Sequence, residues 1–171
     1  MSRSTWPRQV RWVIGLALMG TVLGAAGDLG AESWGGLTPG ETLRGGVESL
    51  YGRPSRERPL VEEGRTVLEW TYAGDRAPRG VERMVINFGL ASGAAFNPDV
   101  LRSIVLYPKP HVFSMLSISH GWGPPDAVGT EEATGRPSFH YRTKGLLIIF
   151  DKTGSWAEML LFAPKQPAGG A

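Results

Sequence analysis

Three histidines are the residues of this sequence best suited to acid–base or metal chemistry, because the chain contains no cysteine. They are His111, His120 and His140, and their spacing matches no metal-binding motif. Ser119 precedes His120, but adjacent side chains point in different directions on a helix or a strand and do not form a nucleophile–base pair. The sequence also contains no phosphate-binding loop, zinc-protease motif or nucleophile elbow. We therefore expect a non-enzymatic protein without catalytic residues, metal or cofactor, unless a histidine converges with a carboxylate in one cleft.

Aromatic residues on two alternating segments offer a different chemistry, that of protein recognition. In the segment Thr66–Tyr72, alternation places large apolar side chains on one side of a predicted strand and polar side chains on the other. The segment Pro137–Thr143 has the same pattern. Trp, Tyr and Arg contribute most binding energy at protein interfaces, so an exposed aromatic side would be a binding surface. Seven side chains in or near these segments are the candidate partner-binding residues: Trp70, Tyr72, Glu69, Tyr141, His140, Arg142 and Trp122.

The alternative for the same residues is structural. If the predicted helices cover the aromatic side, then Trp70 and Tyr72 belong to the core, which is where large apolar side chains usually lie. The polar side, with Glu69 and His140, would then be open to solvent and to a partner. The two hypotheses differ in which face of the sheet the helices cover.

Charge argues against nucleic acid as a partner. From Glu32 onward the chain carries 15 Lys and Arg residues and 15 Asp and Glu residues, so the formal charge of +2 comes from the first 31 residues. A protein that binds nucleic acid usually carries a clear excess of positive charge. We therefore expect no nucleic acid partner.

Residues 1–31 have the pattern of a secretory signal peptide. Three arginines are followed by an apolar run from Trp12 to Ala26 and then by small residues, with cleavage predicted after Ala25, Ala26 or Ala31. The apolar run is short for a bilayer span, which needs about 20 residues. An uncleaved anchor is the alternative, and it would be the only membrane contact. In either case we expect the remainder to be exported, either to the periplasm or out of the cell.

The segment Tyr51–Tyr72 occurs twice. A shift of 71 positions places it on Trp122–Thr143 without a gap, and the two segments share an aromatic-Gly-x-Pro motif, a Gly-Arg pair and an alternating aromatic strand. Such self-similarity at a fixed spacing is typical of an internal repeat. It predicts that most of the shared residues are scaffold and that function lies where the copies differ.

Each predicted copy is a helix followed by antiparallel strands. In the first, Thr38-Pro39-Gly40-Glu41 is typical of a helix start and predicts a helix from Pro39 to Tyr51. Gly45 and Gly46 within this helix suggest a close approach to a flat neighbour, such as a sheet. The strands predicted in this copy are Pro59–Val61, Thr66–Tyr72, Glu82–Phe88 and Leu101–Tyr107, with a loop over Gly89–Asp99.

The second copy begins after the prolines of Pro108-Lys109-Pro110, which neither a helix nor a strand ladder continues across. It contains a predicted helix at Ser114–His120 and a strand at Pro137–Thr143. The sequence Asp151-Lys152-Thr153-Gly154 predicts a tight turn, which joins strands Leu146–Phe150 and Trp156–Phe162 as a hairpin.

Together these elements predict an α+β fold. Two tandem helix-plus-meander repeats, residues 36–108 and 109–164, would form one antiparallel sheet of six to eight strands with the helices on one face. Residues 165–171 are rich in Pro, Gly and Ala and are predicted to be a disordered tail.

These motifs resemble the small exported domains of the beta-lactamase-inhibitor-protein-like fold, a group that includes the SmpA/OmlA (BamE) domain of envelope-assembly lipoproteins. The residues that carry the resemblance are Thr38-Pro39-Gly40-Glu41, Tyr51-Gly52-Arg53-Pro54, Trp70-x-Tyr72 and Trp122-Gly123-Pro124-Pro125. The resemblance spans residues 36–164. Two departures matter: the SmpA/OmlA lipoproteins carry a lipidated cysteine and the inhibitors carry disulfides, whereas this chain has no cysteine.

The resemblance implies a binding module of the cell envelope, similar either to the inhibitors or to the assembly proteins. We therefore expect an envelope protein as its partner. The alternative is a periplasmic carrier that binds a small molecule or lipid in the cleft between the repeats.

Overall fold

The computed structural model describes residues 31–92 and 95–165. The predicted signal peptide, apart from Ala31, and the predicted tail after Lys165 lie outside the described residues. The two α-helices are α1 (Arg44–Tyr51) and α2 (Met115–Trp122). The strands are β1 (Arg56–Glu62), β2 (Arg65–Ala73), β3 (Val81–Ser92), β4 (Ala95–Pro108), β5 (Ala127–Thr130), β6 (Pro137–Tyr141), β7 (Leu146–Phe150) and β8 (Ala157–Phe162).

All eight strands belong to one antiparallel sheet, in the order β1-β2-β3-β4-β8-β7-β6-β5. Strands β4 and β8 form its centre. They pair through Ile104 with Phe162, Val105 with Leu161, and Leu106 with Leu160. The predicted boundary at residues 108–109 therefore does not divide the sheet, because hydrogen bonds between β4 and β8 connect the segments on either side of it.

The prediction of two tandem α+β repeats, with their helices packed as a layer on one face of the sheet, is wrong. Residues 31–92 and 95–165 form a single eight-stranded antiparallel sheet with two α-helices of eight residues each. Each helix contributes one fully buried side chain, Val47 from α1 and Ile118 from α2. The helices are too short to form a layer of their own, and strands provide most of the core.

Tertiary pairing explains why α1 is shorter than predicted. The segment that contains Thr38 and Gly40 turns instead of starting the helix, and Gly40 has a positive φ of 88°. The backbone N–H of Gly40 donates to the Leu101 carbonyl at 2.8 Å, and the N–H of Leu101 donates to the Thr42 carbonyl at 2.8 Å. These bonds attach the turn that contains Gly40 to β4, and the helix begins only at Arg44.

The hairpin β3–β4 is longer than the sequence indicates. The predicted loop Gly89–Asp99 continues the ladder, with Leu90 paired to Asn97 and Ser92 to Ala95. Strand β5 is an element that the sequence analysis missed. In contrast, the β7–β8 hairpin is confirmed: the N–H of Gly154 donates to the Asp151 carbonyl at 2.9 Å and Gly154 has a φ of 73°.

The alignment of the two similar segments at a shift of 71 positions does not hold within the strands. The Tyr72 hydroxyl donates to the Gly52 carbonyl at 2.9 Å, and the Tyr141 hydroxyl donates to the Gly123 carbonyl at 3.0 Å. Both glycines follow a helix and have a positive φ, which glycine adopts without a steric penalty. Tyr141 therefore makes the contact that Tyr72 makes, whereas the shift aligns it with Trp70. The alignment is wrong by two residues at this point.

One face of the sheet, which we call the core face, is the hydrophobic core. Its side chains pack with Val47, Ile118 and Leu37, which is fully buried in the segment before α1. The opposite side of the sheet is called the open face below. The strand residues of the core face include Trp70, Tyr72, Met84, Ile86, Phe88, Ile104, Leu106, Phe139, Tyr141, Leu146, Ile148, Phe150, Leu160 and Phe162.

Candidate partner-binding face

The aromatic residues proposed as binding residues lie in the core. Trp70 is 4% exposed, Tyr72 0% and Tyr141 1%. The Trp70 ring meets Phe88 edge-on with centroids 4.9 Å apart, and its Nε1 donates to the Glu57 carboxylate at 2.8 Å. The hypothesis of an exposed aromatic face is therefore wrong for these three side chains, and the structural alternative is correct.

The remaining predicted residues do not gather at one place. Trp122, at the end of α2, is half-buried and packs edge-on against Phe162. Arg142 is exposed in a single 3-10 turn that follows β6. Only Glu69 and His140 lie on the open face, and they are on opposite halves of the sheet.

The open face has a continuous row of side chains that crosses all eight strands. The strand register places successive members opposite one another, so neighbouring side chains in the row are close enough to interact. From β1 to β5 in sheet order, the row consists of Arg56, Thr71, Val85, Val105, Leu161, Leu147, His140 and Ala127.

The centre of this row is apolar. Val85, Val105, Leu161 and Leu147 are each half-buried, and they come from four adjacent strands. No helix of the described residues packs on this side, since the buried residues of α1 and α2 belong to the core face cluster. We call these four side chains the apolar row. A contiguous apolar surface of this kind with a polar rim is typical of an interaction site.

A hollow of about 400 Å³ lies at the β1–β4 end of the open face. Three arginines line it, with one carboxylate. The Arg58 guanidinium pairs with the Glu69 carboxylate, with Nη2 to Oε2 and Nε to Oε1 each 3.2 Å apart. We call this site the arginine hollow. It is lined by Arg56, Arg58, Glu69, Thr71, Arg83, Val85, Asn87, Val105 and Tyr107.

A second groove, of about 870 Å³, lies between α1 and the beginning of β1. Charges of both signs line it, including Arg44 and Asp99, which form an ion pair at 2.8 Å. Gly45 also lines it, and no atom lies within 4 Å of the position that a Cβ would take there. The expected close approach of Gly45 to a sheet is therefore wrong, and the groove has no predominant charge or polarity.

Within the part of the chain that the structure describes, His140 is the one histidine whose ring nitrogen forms a hydrogen bond with another side chain. Its Nε2 lies 3.0 Å from the Ser138 hydroxyl, and both side chains project from β6 toward Gly129 on β5. A Cβ at Gly129 would come within 3.2 Å of both, so the glycine leaves room for this pair. Among residues 31–92 and 95–165, no carboxylate forms a hydrogen bond or ion pair with His140. The contact therefore lacks the orienting acid of a catalytic triad.

Titration of His140 should make stability depend on pH. Burial, and to a smaller extent the nearby Arg142 charge, lower the pKa of His140 from its usual 6.5. The unfolded chain therefore binds a proton more readily than the folded one, and stability present above about pH 6.5 is lost as the pH falls through that value. We expect urea denaturation to give a lower free energy of unfolding near pH 5.5 than near pH 7.5.

The variant His140→Gln is the control for this prediction because it keeps a polar side chain beside Ser138. Its free energy of unfolding should change less over the same interval, because the variant lacks the histidine whose pKa folding lowers. An equal pH dependence in the two proteins would contradict the assignment to His140.

No group of three His, Asp or Glu side chains in residues 31–92 and 95–165 is placed to hold a metal ion. Within the same ranges, neither helix has the length and apolar character needed to cross a bilayer.

Comparison with known proteins gives one distant structural neighbour. No protein-family model matches the sequence, and no curated protein matches it. The crystal structure of a DUF4309 family protein (YjgB) from Bacillus subtilis subsp. subtilis str. 168 is similar at 17% sequence identity, with a TM-score of 0.48. The match covers 76% of this chain and 83% of that chain.

Proposed function

We propose that this protein is an exported, non-enzymatic binding module of the cell envelope that binds a partner protein through the open face of its sheet. The observation that carries the proposal is the apolar row. Four half-buried side chains from four central strands form a continuous surface on the side of the sheet opposite the core. Burial of such a surface against a partner would stabilise a complex by removing apolar area from water.

The rim of this surface favours a protein partner with acidic groups. Arg83 and Tyr107 lie at one end of the apolar row, and arginine and tyrosine are enriched among the residues that dominate interface energetics. The arginine hollow carries three arginines and one glutamate. Charge complementarity of this kind mainly determines specificity and the association rate.

The carrier hypothesis is the weaker of the two. A lipid or apolar small molecule requires a concave site that buries most of its surface. The two grooves described above are open and lined by charged side chains, and both are built from residues 43–107 and not from a cleft between the predicted repeats. These features favour the hypothesis of a surface that binds a protein over the hypothesis of a pocket that binds a lipid.

Export and the inhibitor-like or envelope-assembly-like role are part of the proposal. They are supported by the signal-peptide pattern in residues 1–31 and by the resemblance of the motifs to exported binding domains. In the proposed function Glu69 and His140 contact the partner directly, whereas Trp70, Tyr72 and Tyr141 support the face from the core.

The experiment compares two variants that place the same charge on different surfaces. Leu161→Glu introduces a carboxylate into the apolar row, and Leu116→Glu introduces one on α2, where Leu116 is 68% exposed. Wild-type protein is used as bait in envelope extract, the partner is identified, and its Kd is measured with all three purified proteins. We expect Leu161→Glu to weaken binding at least about tenfold and Leu116→Glu to leave it unchanged.

Circular dichroism and thermal unfolding establish first that both variants are folded. Equal affinity of wild type and Leu161→Glu for the partner would exclude the open face as the binding surface. Repeated failure to recover any partner with folded bait would count against the binding function itself.

A further inference from the structure

The arginine hollow combines an excess of positive charge with an arrangement of side chains set by the strand register. Arg56 lies opposite Thr71, Arg58 opposite Glu69, and Arg83 opposite Tyr107. The three arginines thus approach one site from β1 and β3, over a floor that includes Val85 and Val105. The site lies at one end of the apolar row, on the same face of the sheet.

One carboxylate does not neutralise this site. Glu69 pairs with Arg58, whereas neither Arg56 nor Arg83 has a carboxylate within 4.0 Å among the described residues. The three arginines and one glutamate that line the hollow leave two positive charges. Donors are also in excess, because the buried Nε of Arg58 approaches Glu69 but makes no hydrogen bond within the part of the chain that the structure describes.

Arg83 is held in position before any ligand arrives. Its guanidinium lies over the Tyr107 ring, 4.0 Å from the centroid, which is a favourable cation–π distance. A guanidinium that meets an aromatic ring with its flat face keeps its N–H donors, which point outward in the plane, for an acceptor. Thr71 and Asn87 add a hydroxyl and an amide at the same site. Planar donors of this type match carboxylates, which accept two parallel hydrogen bonds.

We propose that the arginine hollow binds an acidic segment of the partner, which places two carboxylates on Arg56 and Arg83 while the apolar row contacts its neighbouring residues. This inference rests on the proposed function and names the chemistry of the partner. The pairing of Arg58 with Glu69 already shows a carboxylate accepted at this site. In an extended segment, acidic residues at alternating positions lie on one side, so such a segment can present both carboxylates to the sheet.

The test uses short peptides of known composition. A peptide of alternating glutamate and serine, its glutamine counterpart and inorganic phosphate are each titrated into the full-length protein labelled with 15N, at low and at high salt. We expect the glutamate peptide alone to shift the backbone resonances of β1–β3 at low concentration, with binding that weakens as salt rises.

Two variants, each lacking one positive charge, show whether the peptide binds in the arginine hollow. Arg83→Gln should weaken binding of the glutamate peptide about tenfold, the value of one charge-assisted hydrogen-bond pair, and Arg79→Gln should leave it unchanged. Arg79 is an exposed arginine on the loop before β3 and does not line the hollow.

Two outcomes of the peptide and phosphate titrations would overturn the inference, and the Kd of the partner provides a separate test. Equal loss of affinity in Arg83→Gln and Arg79→Gln would indicate general attraction to the surface, and phosphate binding as tight as peptide binding with the same dependence on Arg83 would indicate a phosphate site. If the Kd of the partner responds to Leu161→Glu but not to Arg83→Gln, the proposed function stands, but the arginine hollow is excluded as a binding site for the partner. A partner insensitive to both would exclude the open face.

Discussion

Replacing Trp70 with alanine should lower the free energy of unfolding by about 3–5 kcal/mol, the usual range for removal of a buried large aromatic side chain. Trp70 is 4% exposed and contacts Phe88 edge-on, so its loss leaves a cavity in the core. The substitution also removes the donor to Glu57. Urea denaturation monitored by circular dichroism measures the change.

Two further variants separate the contributions at this position. Thr71→Ala, the next residue on the same strand but on the open face, should change stability by less than about 1 kcal/mol because Thr71 is half-buried and its side chain lies outside the core cluster. Glu57→Gln keeps an acceptor for the indole N–H and should have a small effect. A Trp70→Ala protein as stable as wild type would contradict the assignment of Trp70 to the core.

Gly145→Ala should destabilise the protein by at least about 2 kcal/mol, because it combines an unfavourable backbone conformation with a steric clash. Gly145 has a φ of 66°, and an added Cβ would lie 2.0 Å from the carbonyl oxygen of Ala163. Backbone atoms cannot move aside as a flexible side chain can. The clash would also disturb the hydrogen bond from the Ala163 N–H to the Gly145 carbonyl, which measures 2.8 Å.

Gly64→Ala is the matched control for this substitution. Gly64 has a similar φ of 75°, but no atom lies within 4 Å of its added Cβ. The Gly64→Ala protein should lose only about 1 kcal/mol of its free energy of unfolding, which is the cost of the unfavourable backbone conformation alone. Thermal unfolding of the two variants therefore isolates the clash, and equal melting temperatures would show that residues 145 and 163 are not in the described contact.

Local patterns in the sequence predicted some elements well. The hairpin β7–β8 and the central part of β2 follow from alternation and from turn residues a few positions apart. The start of α1 could not be predicted in this way, because hydrogen bonds to Leu101 determine it and that residue lies more than 55 positions away. Strand β5 is four residues long, Ala127–Thr130, and is too short for alternation to distinguish it from a loop.

The candidate site was only partly predictable for the same reason. The alternating pattern predicts that Glu69 and Thr71 lie on the other side of the strand from Trp70, and the structure places them on the open face. The arginine hollow was missed, although Arg56-x-Arg58 is an alternating basic pair in the sequence. Recognising it as a site requires the register of β1, β2 and β3. The apolar row requires the order of the central strands, which no local pattern contains.

The pairing of β4 with β8 affects how the chain acquires its structure during synthesis. Strand β8 is the last strand in sequence that the structure describes, yet it lies at the middle of the sheet. Until it emerges from the ribosome, β4 has an unpaired edge, and Val85 and Val105 are separated from Leu147. Contacts between residues distant in sequence slow folding and expose strand edges to other chains. A nascent chain that stalls before Ala157 would therefore be prone to aggregation, and it would lack Leu161, which connects the two parts of the surface through which we propose that the finished protein binds.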